Sequence, residues 1–330
     1  MQHEIVEGIS KNYSLEIKSI NLFRGIYIIN TSEGKKMIKN PNFSTGRILF
    51  IHGVKEHLYR NGFKNLDRYI CSKEGLPYFS FNGNKYTISE IIEGRECNFE
   101  SKDDIKKATN TLAYLHKASR GYIATQNCTP RDNLGNIPTY FKKRLDELKK
   151  AGKRALKGKR KFEHLLTKHI EYFYNLGEET LNAINATNYL GLVKQSRKEG
   201  IICHHDYNHN NVILKENDVS VLNFESCCYE LKVYDIANLL RRKMRKCNWD
   251  IYEAKMIVDE YSKIESISKD EFCILKIMLK FPQKFWRIVN KYYNTKHNWG
   301  ENSFTDKLQE VIDEVPHNKR FIEKFEMLTE

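Results

Sequence analysis

A chain of 330 residues with 40% hydrophobic content is long enough for a large core and for two lobes. It has no run of 18 apolar residues, and residues 1–7 lack the basic flank and apolar stretch of a signal peptide, so a soluble protein made inside the cell is expected. The net charge of +13 invites a nucleic-acid role, but no helix-turn-helix, zinc finger or RNA-binding aromatic signature accompanies it; the eight cysteines form neither a disulfide scaffold nor zinc-spaced pairs.

The first hundred residues read as a small β-rich lobe. Leu15-Glu16-Ile17-Lys18-Ser19-Ile20 alternates, Gly25 allows a turn, Ile26-Tyr27-Ile28-Ile29 is strand-like, and Ser32-Glu33-Gly34 turns the chain into Lys35-Lys36-Met37-Ile38-Lys39. Three antiparallel strands are predicted. Lys39 closes the third, where a lysine is either a phosphate contact or a commonplace surface residue. Over 44–61, Ile48, Ile51, Val54 and Leu58 recur at helical spacing. Glu56 is the one carboxylate between Glu33 and Asp67, so it is either the ion-pair partner of Lys39 or an exposed helix glutamate. Tyr69-Ile70, Tyr78-Phe79-Ser80-Phe81 and Tyr86-Thr87-Ile88 extend the sheet. Residues 89–94, including Glu90 and Ile92, then form a crossing whose backbone groups would meet an adenine edge. This divides the chain into a nucleotide lobe, 1–92, and a mainly helical lobe, 93–330.

Beyond the crossing, Ser101-Lys102-Asp103-Asp104 is a capping box, and Ile105, Ala108, Leu112 and Leu115 form one apolar stripe ending at His116, a packing or hydrogen-bonding residue. Residues 142–161 hold eleven basic side chains against Asp146 and Glu147, the pattern of a solvated helix face or a mobile insertion. Such a run suits weak binding to acidic polymers rather than specific nucleic-acid recognition. A further helix is expected over 170–184. Tyr234-Asp235-Ile236-Ala237 opens another, with Asp235 as a buried helix-start carboxylate. Phe281, Phe285, Trp286, Ile288, Tyr292 and Tyr293 form an aromatic stripe, read as core or as a wall for an acceptor. Cys227-Cys228 reads as packing after a strand.

The segment with the clearest chemistry is His204-His205-Asp206-Tyr207-Asn208-His209-Asn210-Asn211, followed by a hairpin, Val212-Ile213-Leu214 and Val219-Ser220-Val221-Leu222, that ends at Asn223. Phosphoryl transfer needs a carboxylate to orient or deprotonate the acceptor hydroxyl and oxygen ligands to hold magnesium on the nucleotide phosphates. Asp206 and Asn211, five residues apart on one loop, supply a base and a metal ligand. The hairpin returns Asn223 beside them, where such an enzyme carries a metal-binding acid. Continued as a strand, 219–225 would put Glu225 on the face of Asn223, roughly 7 Å along, within reach of the same metal.

The order Lys39, Glu56, 91–94, Ala113-Tyr114-Leu115-His116, His204-x-Asp206-x4-Asn211, Asn223 and Asp235-Ile236-Ala237 resembles the aminoglycoside and choline phosphotransferase-like kinases. More narrowly, the chain resembles the CotS family of spore coat proteins over about residues 10–325. That match rests on Glu56-His57-Leu58 with Asn61-Gly62-Phe63, Ile92-Glu93-Gly94-Arg95-Glu96, Leu115-His116-Lys117-Ala118-Ser119-x-Gly121-Tyr122, and Lys280-Phe281-Pro282-Gln283-Lys284-Phe285-Trp286 with Tyr292-Tyr293. The resemblance implies an α+β, two-lobed protein kinase-like fold, with a small antiparallel β lobe plus one helix and a larger helical lobe. It also implies ATP and Mg2+ as cofactors, synthesis in the mother-cell cytoplasm, deposition on the spore coat, and other coat proteins and a small-molecule acceptor as partners. In it Asp206 is the catalytic base, Lys39 a phosphate contact, Glu56 its orienter, and Asn211 a metal ligand. Two residues depart from the broad family: His205 stands where glycine is usual, and Asn223 replaces the magnesium-binding aspartate. Three readings follow. The chain is a phosphotransferase acting on a hydroxyl of a small molecule or envelope component, a pseudokinase that builds the coat, or a basic protein anchored through 142–161.

Overall fold

The computed structural model describes residues 2–23, 25–294 and 301–329. The chain forms two compact units, Met1–Asp132 with Glu199–Tyr229, and Asn133–Lys198 with Glu230–Glu330.

The first unit opens with α1 (Gln2–Asn12), an amphipathic helix that precedes the first predicted strand. Then come β1 (Ile17–Phe23), β2 (Ile26–Thr31), β3 (Gly34–Lys39), α2 (Thr45–Arg60), β4 (Phe79–Phe81), β5 (Asn84–Glu90), the short β6 (Arg95–Glu96) and α3 (Lys102–Ser119). An antiparallel sheet runs in the order β1-β2-β3-β5-β4. Residues 69 and 70 contribute only an isolated bridge from Tyr69 to Ser89, not a full strand. The β2–β3 turn is closed by Thr31, whose hydroxyl donates to the Gly34 carbonyl, while Gly34 takes φ 103°, a region open to glycine. Ile5 and Ile9 of α1 and Tyr13 just after it pack on Ile29, Ile38, Phe79 and Ile88 of the sheet in one buried cluster. Burying such side chains contributes about 1.5–3 kcal/mol each.

The α2 stripe buries as its spacing predicted, with Ile48, Ile51, Val54 and Leu58 all at most 1% exposed. Ser44 caps the helix by accepting from Arg47 N–H at 3.3 Å. The expected capping box of α3 is only half formed. Ser101 accepts from Asp104 N–H, but the Asp104 carboxylate is taken by Arg95 at 2.6 and 2.8 Å and by Asn98 N–H at 2.8 Å. A guanidinium fork outcompetes one backbone amide for a carboxylate. Arg95 in turn holds the Asp104 carboxyl below its usual range. The unit is completed by β7 (Ile202–Cys203), β8 (Val212–Lys215), β9 (Asp218–Val221) and β10 (Cys228–Tyr229), in a two-stranded β10-β7 ladder and a β6-β8-β9 sheet.

The second unit is helical: α4 (Ile137–Ala155), α5 (Lys161–Asn185), α6 (Tyr189–Glu199), α7 (Val233–Met244), α8 (Ile251–Ser262), α9 (Lys269–Lys280), α10 (Gln283–Asn294), α11 (Glu301–Asp313) and α12 (Val315–Glu323). The basic run 142–161 is ordered as the polar face of α4 and the turn after it. Phe141, Leu145, Leu148, Ala151 and Ala155 point inward, and the lysines are exposed. Arg144 is the exception, half-buried with its guanidinium 4.6 Å from the Trp286 ring. The aromatic stripe from Phe281, the cap of α9, into α10 is core. Phe285 stacks on Phe173, Phe281 on Phe141 and Tyr292 on Phe162, at 3.9, 3.8 and 3.8 Å between centroids. Asp235 lies in the first turn of α7, fully buried. Cysteines 97, 203, 227 and 228 are buried and all eight are free thiols. Among the described residues no helix is long and apolar enough to cross a membrane.

Candidate phosphotransfer site

The loop after β7 is built from its own side chains. His204 is fully buried, its Nε2 2.8 Å from the Leu222 carbonyl and its Nδ1 3.2 Å from the Asp206 amide. Both contacts are satisfied by the tautomer that donates from Nε2 and accepts at Nδ1. His205, at the expected glycine position, has φ 67°, so an imidazole occupies a left-handed backbone site. The Asn208 side chain caps the short 3-10 turn His209–Asn211. Asp206 is exposed, and it accepts from Asn208 Nδ2 at 3.0 Å and from Asn211 Nδ2 at 3.2 Å.

Asn223 does not continue strand β9, so the expected strand over 219–225 stops short of it. Its φ of 61° and ψ of 59° turn the chain into the 3-10 turn Phe224–Ser226, a conformation asparagine tolerates better than most residues. Its side chain closes a chain of contacts. Nδ2 donates to Asn211 Oδ1 at 2.7 Å, and Oδ1 accepts from Lys39 Nζ at 2.5 Å. Lys39 also lies 3.5 Å from a Glu225 carboxylate oxygen. Glu225 thus reaches the site through the turn, not by sharing a strand face with Asn223. The run Asp206–Asn211–Asn223–Lys39–Glu225 is continuous, all of it within the first unit.

Glu56 is not the partner of Lys39. Its carboxylate takes both Arg68 donors, Nε at 2.8 Å and Nη2 at 2.7 Å. The residue that α2 turns inward is its neighbour Lys55, 1% exposed and 3.1 Å from Asp67 Oδ1. Lys55 Nζ also donates to the Asp67 carbonyl and lies 4.0 Å from the Tyr69 ring centroid. Burial pushes the Lys55 ammonium down despite its acid partner. Asp67 Oδ2 accepts the backbone N–H of Asn223 at 3.1 Å, so this buried pair supports the turn from behind. Arg47, also on α2, donates through Nη2 to the carbonyls of Glu225 and Cys227 at 2.7 and 2.8 Å. The Cys227 thiol beside it is pushed up to about 11 by burial.

Lys55, Asp67 and Arg47 were absent from the sequence reading. The spacing Ile51, Val54, Lys55, Leu58 held the available signal, since position 55 completes the i, i+3, i+4, i+7 stripe of a buried helix face. Glu90 ends β5, exposed, with its carboxylate 3.6 Å from the buried Lys36 ammonium. Ile92 follows it, half-buried.

As arranged, this donor set does not fit magnesium. The oxygens expected to coordinate, Asn211 Oδ1 and Asn223 Oδ1, are neutral, and each already faces an N–H donor. A hard dication takes charged or free oxygens, and the nearby carboxylates, Asp206 and Glu225, are themselves engaged.

The model of a family described as "Spore coat putative kinase YutH" matches residues 6–325. The chain belongs to this spore coat kinase family. Among curated relatives, spore coat protein S of Bacillus subtilis (strain 168) is 24% identical over 98% of this chain and 94% of its own length. The endospore coat-associated protein YutH of the same organism is 19% identical over 96% and 92%. Among solved structures, an aminoglycoside phosphotransferase from Alicyclobacillus acidocaldarius subsp. acidocaldarius superposes with a TM-score of 0.83 at 21% identity, covering 96% of this chain and 94% of that one. At that identity the likeness establishes the fold of this spore coat family member, which is α+β and kinase-like as the sequence implied.

Proposed function

We propose that this protein is a spore coat component that keeps a nucleotide-binding, kinase-like unit and has an impaired phosphotransfer centre. The observation that carries the reading is the side chain of Asn223, which bridges Lys39 and Asn211 through its two ends. An aspartate there would offer two anionic oxygens and no donor. The amide instead spends its oxygen on Lys39 and its N–H on Asn211, so the site is saturated by its own groups. Lys39 remains the group for nucleotide phosphates, and residues 1–92 the nucleotide lobe, with backbone at Glu90 and Ile92 for the base. The coat assignment, with synthesis in the mother-cell cytoplasm and other coat proteins as partners, rests on the family and on relatives named as coat proteins.

Calorimetric titration of ATP, with and without magnesium, on the natural chain and Asn223→Asp tests this. The expected result is nucleotide binding that magnesium barely changes in the natural chain, and a magnesium-dependent gain in the Asp variant. Full turnover by the natural chain would overturn it.

A second reading, an active phosphotransferase acting on a small-molecule or envelope hydroxyl with Asp206 as base, draws support from Glu225. Its carboxylate, 3.5 Å from Lys39, puts an acid beside the amide. On that reading Glu225→Ala abolishes magnesium-dependent nucleotide binding; on the first it leaves magnesium without effect.

A further inference from the structure

The second unit contains a buried positive charge that its own residues do not neutralise. Arg241, on α7, is 8% exposed. Its Nη1 donates to Asn238 Oδ1 at 3.0 Å and its Nη2 to the Met278 carbonyl, both neutral acceptors. Among the described residues no carboxylate pairs with it. One turn on, Arg245 shares a single acid: Glu314 lies 3.5 Å from Arg245 Nε through Oε2 and 2.8 Å from Lys284 Nζ through Oε1.

These side chains line a cavity of about 50 Å³, together with Trp249, Phe281 and Asn318. On that measure one water takes roughly 10–15 Å³, so the space suits a few waters or one small polyatomic ion. The Nε–H groups of Arg241 and Arg245 and the indole N–H of Trp249 are all buried without a hydrogen-bond acceptor. Two donors with no acceptor, Arg241 Nε and Trp249 Nε1, and a third, Arg245 Nε, that only Glu314 faces at 3.5 Å, belong to residues lining one cavity. Buried polar groups are normally paired, and a buried charge is paired or holds a ligand.

The geometry points to an oxyanion site at this cavity, one that takes a phosphate-sized tetrahedral anion between Arg241, Arg245 and Trp249. With Nη1 and Nη2 of Arg241 already donating, the ion would be held by the Nε–H of each guanidinium, and the indole N–H supplies a third direction that a flat carboxylate does not use. Burial, with Arg245, Arg144 and Arg287 nearby, pushes Arg241 down to about 9 against the opposing pull of Tyr234, and burial with Arg287 and Arg242 pushes Arg245 down to about 10 against that of Glu314, a field that a bound anion would relieve. Arg241 is fixed on α7, whereas Arg245 and Trp249 stand in the turn after it, where Trp249 takes φ 58°; the buried Phe281, stacked on Phe141, backs the cavity with core packing. The inference is independent of whether the first unit binds ATP.

The test is thermal unfolding and calorimetric titration of the full chain with inorganic phosphate, with chloride, sulfate and acetate at matched ionic strength. Phosphate and sulfate are expected to raise the Tm and acetate to do little. Arg241→Met is expected to weaken phosphate binding at least about tenfold, the worth of a charged hydrogen bond, and Trp249→Phe about fivefold. Lys39→Met is expected to leave it unchanged. If Arg241→Met does not fold, Trp249→Phe decides. Overturning results are no preference for phosphate or sulfate over chloride, phosphate binding that survives both substitutions in the second unit, or binding that is lost in Lys39→Met.

Discussion

The loop from His204 to Glu225 and the cavity beside α7 treat polar groups in opposite ways. In the loop each amide and carboxylate on the path from Asp206 to Lys39 already has a partner from the same loop, hairpin or strand β3. In the cavity the Arg241 guanidinium and an indole N–H are buried with no carboxylate partner, and Arg245 has only Glu314, which it shares with Lys284. A satisfied network is rigid and must be broken before a ligand enters, whereas an unsatisfied one is completed by a ligand. The residues that look most like a catalytic centre are therefore the less ready of the two to take an ion.

The largest effect should come from the buried pair behind the loop. Lys55→Met strands the Asp67 carboxylate, and a loss of about 3–5 kcal/mol in urea unfolding is expected, as for other broken buried pairs. Arg241→Met strands no acid and should cost at most about 2 kcal/mol, the worth of its neutral hydrogen bonds. Equal losses would erase the contrast between the two regions. Next, Asn223→Asp should raise magnesium-dependent ATP affinity roughly tenfold, about one charge-assisted contact, in the calorimetric titration described above. Glu56→Gln should change ATP affinity little, since its carboxylate serves Arg68, while Glu225→Gln should change it severalfold by freeing Lys39. A larger effect from Glu56 would restore it as the partner of Lys39. In alkylation followed by mass spectrometry, exposed Cys273 should label and buried Cys227 should not, because its thiol titrates near 11.

The smallest effect concerns acid. Arg95 lowers the Asp104 carboxyl, so its contribution is present above the carboxylate's unfolded value and is lost as pH falls through the lowered one. Arg95→Gln should therefore be less stable than the natural chain at neutral pH, with the difference shrinking as pH falls through the lowered value, and a difference that does not shrink in acid would show that the contact contributes nothing through the carboxylate.

Period and punctuation disclosed several of the elements, though not α1, β7 or β10. Alternation over 15–39 predicted the first three strands, the Ile48 to Leu58 stripe predicted α2, and two apolar runs around a polar turn predicted the β8–β9 hairpin. These patterns are local, because a helix or a hairpin brings together residues only a few positions apart. The spacing from Asp206 to Asn211 disclosed the loop for the same reason: one 3-10 turn joins them.

What spans long sequence distances was not legible. Glu56 and Lys55 are neighbours on one helix, and a rotation of about 100° decides which of them enters the core. The sequence points to Glu56 as the one carboxylate on this helix that could pair with Lys39; the fold instead turns Lys55 inward, because Asp67, twelve residues on, arrives to pair with it. Likewise Asn223 was visible as an amide in an acid's position, but the bond from Lys39, 184 residues earlier, depends on how the sheet and hairpin meet within the first unit. The lone charge of Arg241 was equally hidden. A sequence lists charges, and only packing decides which of them are left inside without a counterion.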